Sequence, residues 1–202
     1  MNNGKWGIDI INTPDRDYLN FLFGNDAKEK RIWRKYASTR RTFIISINGR
    51  IVGTISCIFK DFEKNKLPVE YSKIVTFDDS LNDIISFKLG PNLEQWVKIV
   101  HTSSVEICGL KIDDGLSLYD KRRVLAMLFL QCEFACSSHE CEYVFLTCEE
   151  IFMQLYASKQ RFKYGGIVAY GEKKYNLMYA RLNHTNFSNY AINTVNMNEE
   201  AI

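Results

Sequence analysis

No stretch of the chain approaches the roughly 18 consecutive apolar residues a membrane span needs, and no apolar run follows the opening Met1-Asn2-Asn3-Gly4-Lys5-Trp6 as an export signal requires. A soluble, cytoplasmic protein is expected. Charge of one sign is missing too: 26 Lys and Arg face 24 Asp and Glu, a formal net charge of +2. That balance calls for neither a nucleic acid nor an anionic membrane, so an anionic partner must be read from local clusters. Paired Cys-x-x-Cys knuckles are absent. The six cysteines, Cys57, Cys108, Cys132, Cys136, Cys141 and Cys148, fall mostly among apolar neighbours in predicted helices and strands, which fits reduced thiols better than a disulfide framework. Cys132, Cys136, His139 and Cys141 invite a zinc reading, because Cys132 and Cys136 stand one helical turn apart. The pair lies in a helix expected to be core, and no metal is assigned. No internal repeat is found.

What is present is an α/β alternation with 46% hydrophobic residues in 202, enough for one sizeable core. A single domain is expected over 1–182, with 60–104 as an excursion between strands and 183–202 as a polar, flexible tail. A strand at Trp6 to Ile11 precedes a helix opened by Thr13-Pro14-Asp15-Arg16 and running to about Phe23. A second helix, Asp26 to Ala37, gathers Lys28, Arg31, Arg34 and Lys35 on one side at 100° per residue. Thr42 to Ile47 and Arg50 to Phe59 form a hairpin across Asn48-Gly49, the dipeptide that suits a type I′ turn. The excursion holds Leu67-Pro68-Val69-Glu70 and a predicted helix around 93–100. Val105 to Ile112 is a strand. Ser117 then caps a helix to about Cys136, with Asp120 completing a capping box. That helix is apolar nearly all round, which predicts burial. Tyr143 to Thr147 reads as a central strand covered on both faces, Glu149 to Arg161 as a helix, and Gly166 to Tyr170 with Tyr175 to Leu182 as a closing hairpin.

This order resembles the GNAT acyltransferase fold over about Trp6 to Leu182. Three stretches carry the likeness: Ile47-Asn48-Gly49-Arg50-Ile51-Val52-Gly53-Thr54 is similar to the family's second hairpin, Val105 to Ile112 with the following helix to its donor-binding strand, and Leu155-Tyr156 with Arg161-Phe162 to its Tyr-x-x-x-Gly-Phe ending. The excursion before Val105-Glu106 resembles the branch of acyl-homoserine lactone synthases and N-acyl amino acid synthases, which take acyl groups from an acyl carrier protein. The implied fold class is α/β and GNAT-like, a mixed central sheet flanked by helices on both faces. Departures accompany the likeness. Asp113-Asp114-Gly115-Leu116-Ser117 stands where acetyl-CoA-dependent members have a glycine-rich pyrophosphate loop, Gly109 stands where the lactone synthases have an arginine, and Arg161 replaces a glycine with one extra residue between Tyr156 and Phe162.

Acyl transfer to an amine needs a base for the ammonium, polarisation of the thioester carbonyl and a proton for the leaving thiolate. Glu106, flanked by Val105 and Ile107, would be partly desolvated and more basic than in water. The plainer reading is a strand glutamate paired with a cation. The resemblance puts Tyr156 at the position of the general acid, against the commoner fate of a packed tyrosine. It also makes Cys108, Gly109, Leu110, Lys111 and Ile112 the donor-binding strand, where Gly109 allows a bulge. Cys108 has no nearby histidine to activate it, so direct transfer is preferred to a covalent acyl-cysteine. Lys121, Arg122 and Arg123 sit in a helix first turn, where the macrodipole disfavours cations and an anion such as the pantetheine phosphate would offset the cost. Pairing with Asp113, Asp114 and Asp120 is the alternative. Lys28, Arg31, Arg34 and Lys35, extended by Arg40 and Arg41, would dock an acidic carrier protein or simply be solvated.

The resulting expectation is an N-acyltransferase moving a fatty acyl group from acyl carrier protein, or acyl-CoA, to the amino group of an amino acid or related small amine. No tightly bound cofactor is expected; the acyl-phosphopantetheine thioester is a co-substrate. An ordinary acetyl-CoA-dependent acetyltransferase and a non-catalytic binding module are the alternatives.

Overall fold

A computed structural model describes residues 5–11, 15–27, 30, 40–59, 85–89, 104–170 and 173–187. Lys28, Arg31, Arg34 and Lys35, Leu67-Pro68-Val69-Glu70, the helix expected around 93–100 and the tail beyond 187 lie outside the described residues. The chain divides into two compact units, one made of Met1–Cys57, Gly109–Ala135 and Phe187–Ile202, the other of Ile58–Cys108 and Cys136–Asn186. Strands β3 (Arg50–Phe59) and β5 (Ser104–Ile112) and helix α2 (Leu118–Ser138) each run from one unit into the other.

In the first unit β1 (Trp6–Ile11) pairs antiparallel with β2 (Arg40–Ile47), from Trp6↔Ile47 to Ile11↔Thr42. The strand order continues through β3 to β5. Asn48 and Gly49 join β2 to β3 with φ of 52° and 78°, the positive pair a type I′ turn demands. Helix α1 (Arg16–Phe23) is capped by Asp15, whose side chain accepts from Tyr18 N at 2.8 Å, so the cap lies two residues beyond Thr13. Its core residues Tyr18 and Leu19 are fully buried. Ser117 caps α2 as expected: Asp120 N donates to Ser117 Oγ at 3.1 Å, while the Asp120 carboxylate accepts from that hydroxyl at 2.7 Å and not from the Ser117 backbone N–H that a full capping box uses. A methyl group on Gly53 would lie 2.3 Å from Val124 Cγ1, so glycine lets α2 rest directly on β3.

The expected burial of α2 against the sheet is one-sided, although the helix is apolar nearly all round. Val124, Leu128, Phe129, Cys132 and Ala135 are buried, while Leu130 is 40% and Phe134 73% exposed. Leu130 stands two residues from Leu128, about 200° round the helix, so a flat sheet cannot cover both. The stretch expected to be a loose tail also begins otherwise: Leu182–His184 form a 3-10 turn, and Phe187 is fully buried with its ring stacked on Phe129 at 4.8 Å.

In the second unit the strand order is β5, β6 (Tyr143–Cys148), β8 (Lys173–Arg181), β7 (Lys163–Tyr170) and β4 (Ile85–Leu89). β6 is parallel to β5 and antiparallel to β8, so the sheet is mixed. Tyr143, Val144, Phe145 and Leu146 are all buried, as a central strand with both faces covered requires. The edge strand β4, which pairs antiparallel with β7, lies inside the excursion. Five residues whose partner comes about 80 positions later leave little local signal.

The helix expected over Glu149 to Arg161 is α-helical only as α3 (Glu150–Gln154) and continues as a π-helical turn, Leu155–Lys159. Gln160 N donates to Leu155 O at 3.2 Å, five residues back, and Phe162 N to Tyr156 O at 2.9 Å. The wide turn takes up the residues between Tyr156 and Phe162 in one widened loop of backbone.

Candidate active site

Glu106 is carried by β5 within the second unit, 2% exposed between Val105 and Ile107, which are equally buried. It sits opposite Phe145 in the parallel ladder, Phe145 opposite Tyr179, and Tyr179 opposite Lys163. These four side chains therefore share one face of the sheet. The ladder between β5 and β6 runs from Ser104↔Tyr143 to Ile107↔Leu146. Tyr156 belongs to the same unit, in the π-helical turn, 5% exposed with its ring edge-on to Phe162 at 5.8 Å. The carboxylate and the phenol are thus both withdrawn from bulk water, where a proton acceptor or donor acts with less competition from solvent.

Of the residues expected to bind the donor, those from Gly109 onward belong to the first unit. Gly109 has φ of 61°, the left-handed region that other residues enter at a cost, and its carbonyl accepts from Thr54 Oγ1 at 2.9 Å. Lys111 is committed elsewhere: its ammonium reaches Leu22 O at 3.3 Å, in the last turn of α1, and lies over the Phe21 ring. Cys108 is half-buried; Leu110 and Ile112 follow on the same strand.

The three first-turn cations of α2 part company. Arg123 lies over the Trp6 ring at 4.4 Å, and Lys121 is 4.0 Å from the fully exposed Asp114, a contact worth little in water. Asp113 pairs with Arg50 and Asp120 bonds Ser117. Arg122 has no ion pair among the described residues. Of the residues that extend the basic helix face, Arg40 is buried in β2. Cys132 lies with its sulfur 3.5 Å from that of Cys57, and His139 stacks on Phe59 at 4.1 Å.

One feature is not visible in the sequence. Tyr143, Arg161, Lys163, Tyr179, Arg181 and His184 line a cleft of about 350 Å³ in the second unit. Arg181 Nε donates to the Tyr143 hydroxyl at 3.1 Å, a bond that raises the guanidinium pKa further. Only the pairing of β6 with β8 and β7 brings these residues together, from positions up to 41 apart in the chain.

No family model matches the sequence, and no curated protein matches it. Solved structures do. The structure of FeeM, an N-acyl amino acid synthase from uncultured soil microbes, is similar with a TM-score of 0.64 at 15% identity, over 93% of this chain and 99% of that one. A probable acetyltransferase from Staphylococcus epidermidis has a TM-score of 0.54 at 11% identity, covering 88% and 99%. An agmatine N-acetyltransferase has 0.54 at 10% identity, covering 86% and 99%. The chain has a GNAT-like α/β fold with a mixed sheet.

Proposed function

We propose that this protein is an N-acyltransferase that moves a fatty acyl group from a thioester donor, acyl carrier protein or acyl-CoA, to the amino group of an amino acid or related small amine. The observation that carries the reading is Glu106, a carboxylate buried in β5 of a GNAT-like sheet. Glu106 takes a proton from the acceptor ammonium, the amine nitrogen attacks the thioester carbonyl and a C–N bond forms. The C–S bond then breaks, and Tyr156 gives its proton to the thiolate. The attacking nitrogen gives up its second proton to solvent as the tetrahedral intermediate collapses to the amide, and the proton held by Glu106 returns through solvent to Tyr156, so the cycle balances without a redox partner.

Gly109 to Ile112 serve the pantetheine arm, and Lys121, Arg122 and Arg123 a donor phosphate. Arg122, uncommitted within the described residues, is the member best suited to that task. An acidic carrier protein docks through Lys28, Arg31, Arg34 and Lys35. The likeness to an N-acyl amino acid synthase supports acyl transfer to an amino acid. Asp113-Asp114-Gly115, poorly suited to a CoA diphosphate, favours a carrier-protein donor with its single phosphate.

Incubation with acyl carrier protein and CoA donors and an amine pool, read by mass spectrometry, is expected to yield a new N-acyl product that E106Q does not make. Turnover with acetyl-CoA alone would make it an ordinary acetyltransferase. Ligand binding with no product from any donor would make it a binding module.

A further inference from the structure

The cleft lined by Arg161, Lys163, Arg181 and His184 has no role in the acyl transfer proposed for Glu106 and Tyr156. We propose that it is a binding site for a small oxyanion, a carboxylate or phosphate group. Resting on the proposed activity, its natural occupant is the anionic end of an acceptor whose amine reacts at Glu106.

Three observations support this. First, the cleft gathers three permanent cations and a histidine, whereas Glu142, 3.6 Å from Arg181, is the one carboxylate that any of them pairs with among the described residues. Like charges in proximity repel, and a bound anion relieves the repulsion. Second, the Arg181 guanidinium is oriented beforehand. Its Nε is fixed on the Tyr143 hydroxyl and its Nη2 lies 3.6 Å from Glu142, which holds the guanidinium plane in place and leaves Nη1 to donate to a ligand oxygen. Third, Arg161 has φ of 61°, the left-handed region that a non-glycine residue enters at a cost. An arginine at a backbone position suited to glycine points to a use for its side chain.

The register adds a link to the reaction. Ser104, Tyr143 and Arg181 form one rung across β5, β6 and β8, and Glu106, Phe145, Tyr179 and Lys163 form the next on the same face. Strands lie about 4.8 Å apart, so Tyr179 is about 10 Å and Lys163 about 14 Å from Glu106 at the backbone. An acceptor carrying its anion several bonds from its amine spans that separation. Side chains of the length of arginine and lysine shorten it further.

The test uses the full chain. Inorganic phosphate is titrated calorimetrically into wild type, R161G and K163Q, with thermal unfolding as a control. Glycine adopts the φ of position 161 freely, so R161G is expected to fold, and both variants are expected to bind phosphate at least tenfold more weakly. In acyl transfer, KM for an anionic amine should rise about tenfold in R161G, and KM for its neutral amide should not change. Phosphate affinity that is indifferent to both substitutions in folded protein overturns the site, even if N-acylation is found. Loss of phosphate binding without any acylation upholds the site and overturns the activity on which its occupant rests. Loss of phosphate binding with KM unchanged for every acceptor upholds the site and assigns it a free phosphate instead of the acceptor.

Discussion

Two clusters of cations, one in each unit, differ in how the chain brings them together. Lys121, Arg122 and Arg123 are neighbours in sequence, and the helix they share fans them apart by 100° per residue. One ends over Trp6, one near Asp114 and one without an ion pair among the described residues. Arg161, Lys163 and Arg181 are scattered in sequence and converge on one cleft because β7 and β8 lie side by side. Adjacency along a helix disperses charge, and adjacency across a sheet concentrates it. A run of basic residues in a sequence is thus weaker evidence for an anion site than the same charges on a shared sheet face.

The contrast between the clusters can be tested through kinetics and stability. The largest effect should come from the proposed base: E106Q is expected to lower kcat by about 10² to 10⁴, with the circular dichroism spectrum unchanged. F187A should cost about 3–5 kcal/mol in guanidinium unfolding, because a fully buried ring stacked on Phe129 is lost; a loss below about 1 kcal/mol would return residues 183–187 to the tail. G53A should cost about 1–3 kcal/mol, since its methyl group meets Val124 Cγ1 at 2.3 Å and α2 must move off β3. The two cation clusters then separate by substrate. R122Q should raise KM for the acyl donor about three- to tenfold and K163Q that for an anionic acceptor, each leaving the other KM alone; crossed effects would abolish the distinction.

The smallest effect concerns Cys148, whose thiol burial pushes up to about 11 from 9.0. The unfolded chain ionises first as pH rises, binds fewer protons than the folded chain, and is favoured. Stability should therefore fall between about pH 9 and 11 and level off above. C148A should show a shallower decline in unfolding midpoint across that window.

Much of the fold is legible in the sequence because its signals are local. Asn48-Gly49 announces its hairpin, Ser117 and Asp120 announce their helix, and the apolar run from Tyr143 announces a central strand. Glu106 is legible as a buried carboxylate for the same reason, since its flanking residues are apolar. Edge strand β4 and the cleft are not, because each depends on pairing between residues far apart in the chain. The one-sided burial of α2 is hidden by composition: Leu130 and Phe134 are as apolar as Leu128, and only the sheet decides which face is covered.

The π-helical turn at Leu155–Lys159 bears on how this chain lines up with others. A residue added within a regular helix rotates every later side chain by about 100°, whereas a π-helical turn takes up one residue in a single widened loop of backbone. Position-by-position alignment through the turn falls out of step by one, and Arg161-Phe162 no longer coincides with the ending it resembles. Likeness that is lost in letters is thereby retained in space.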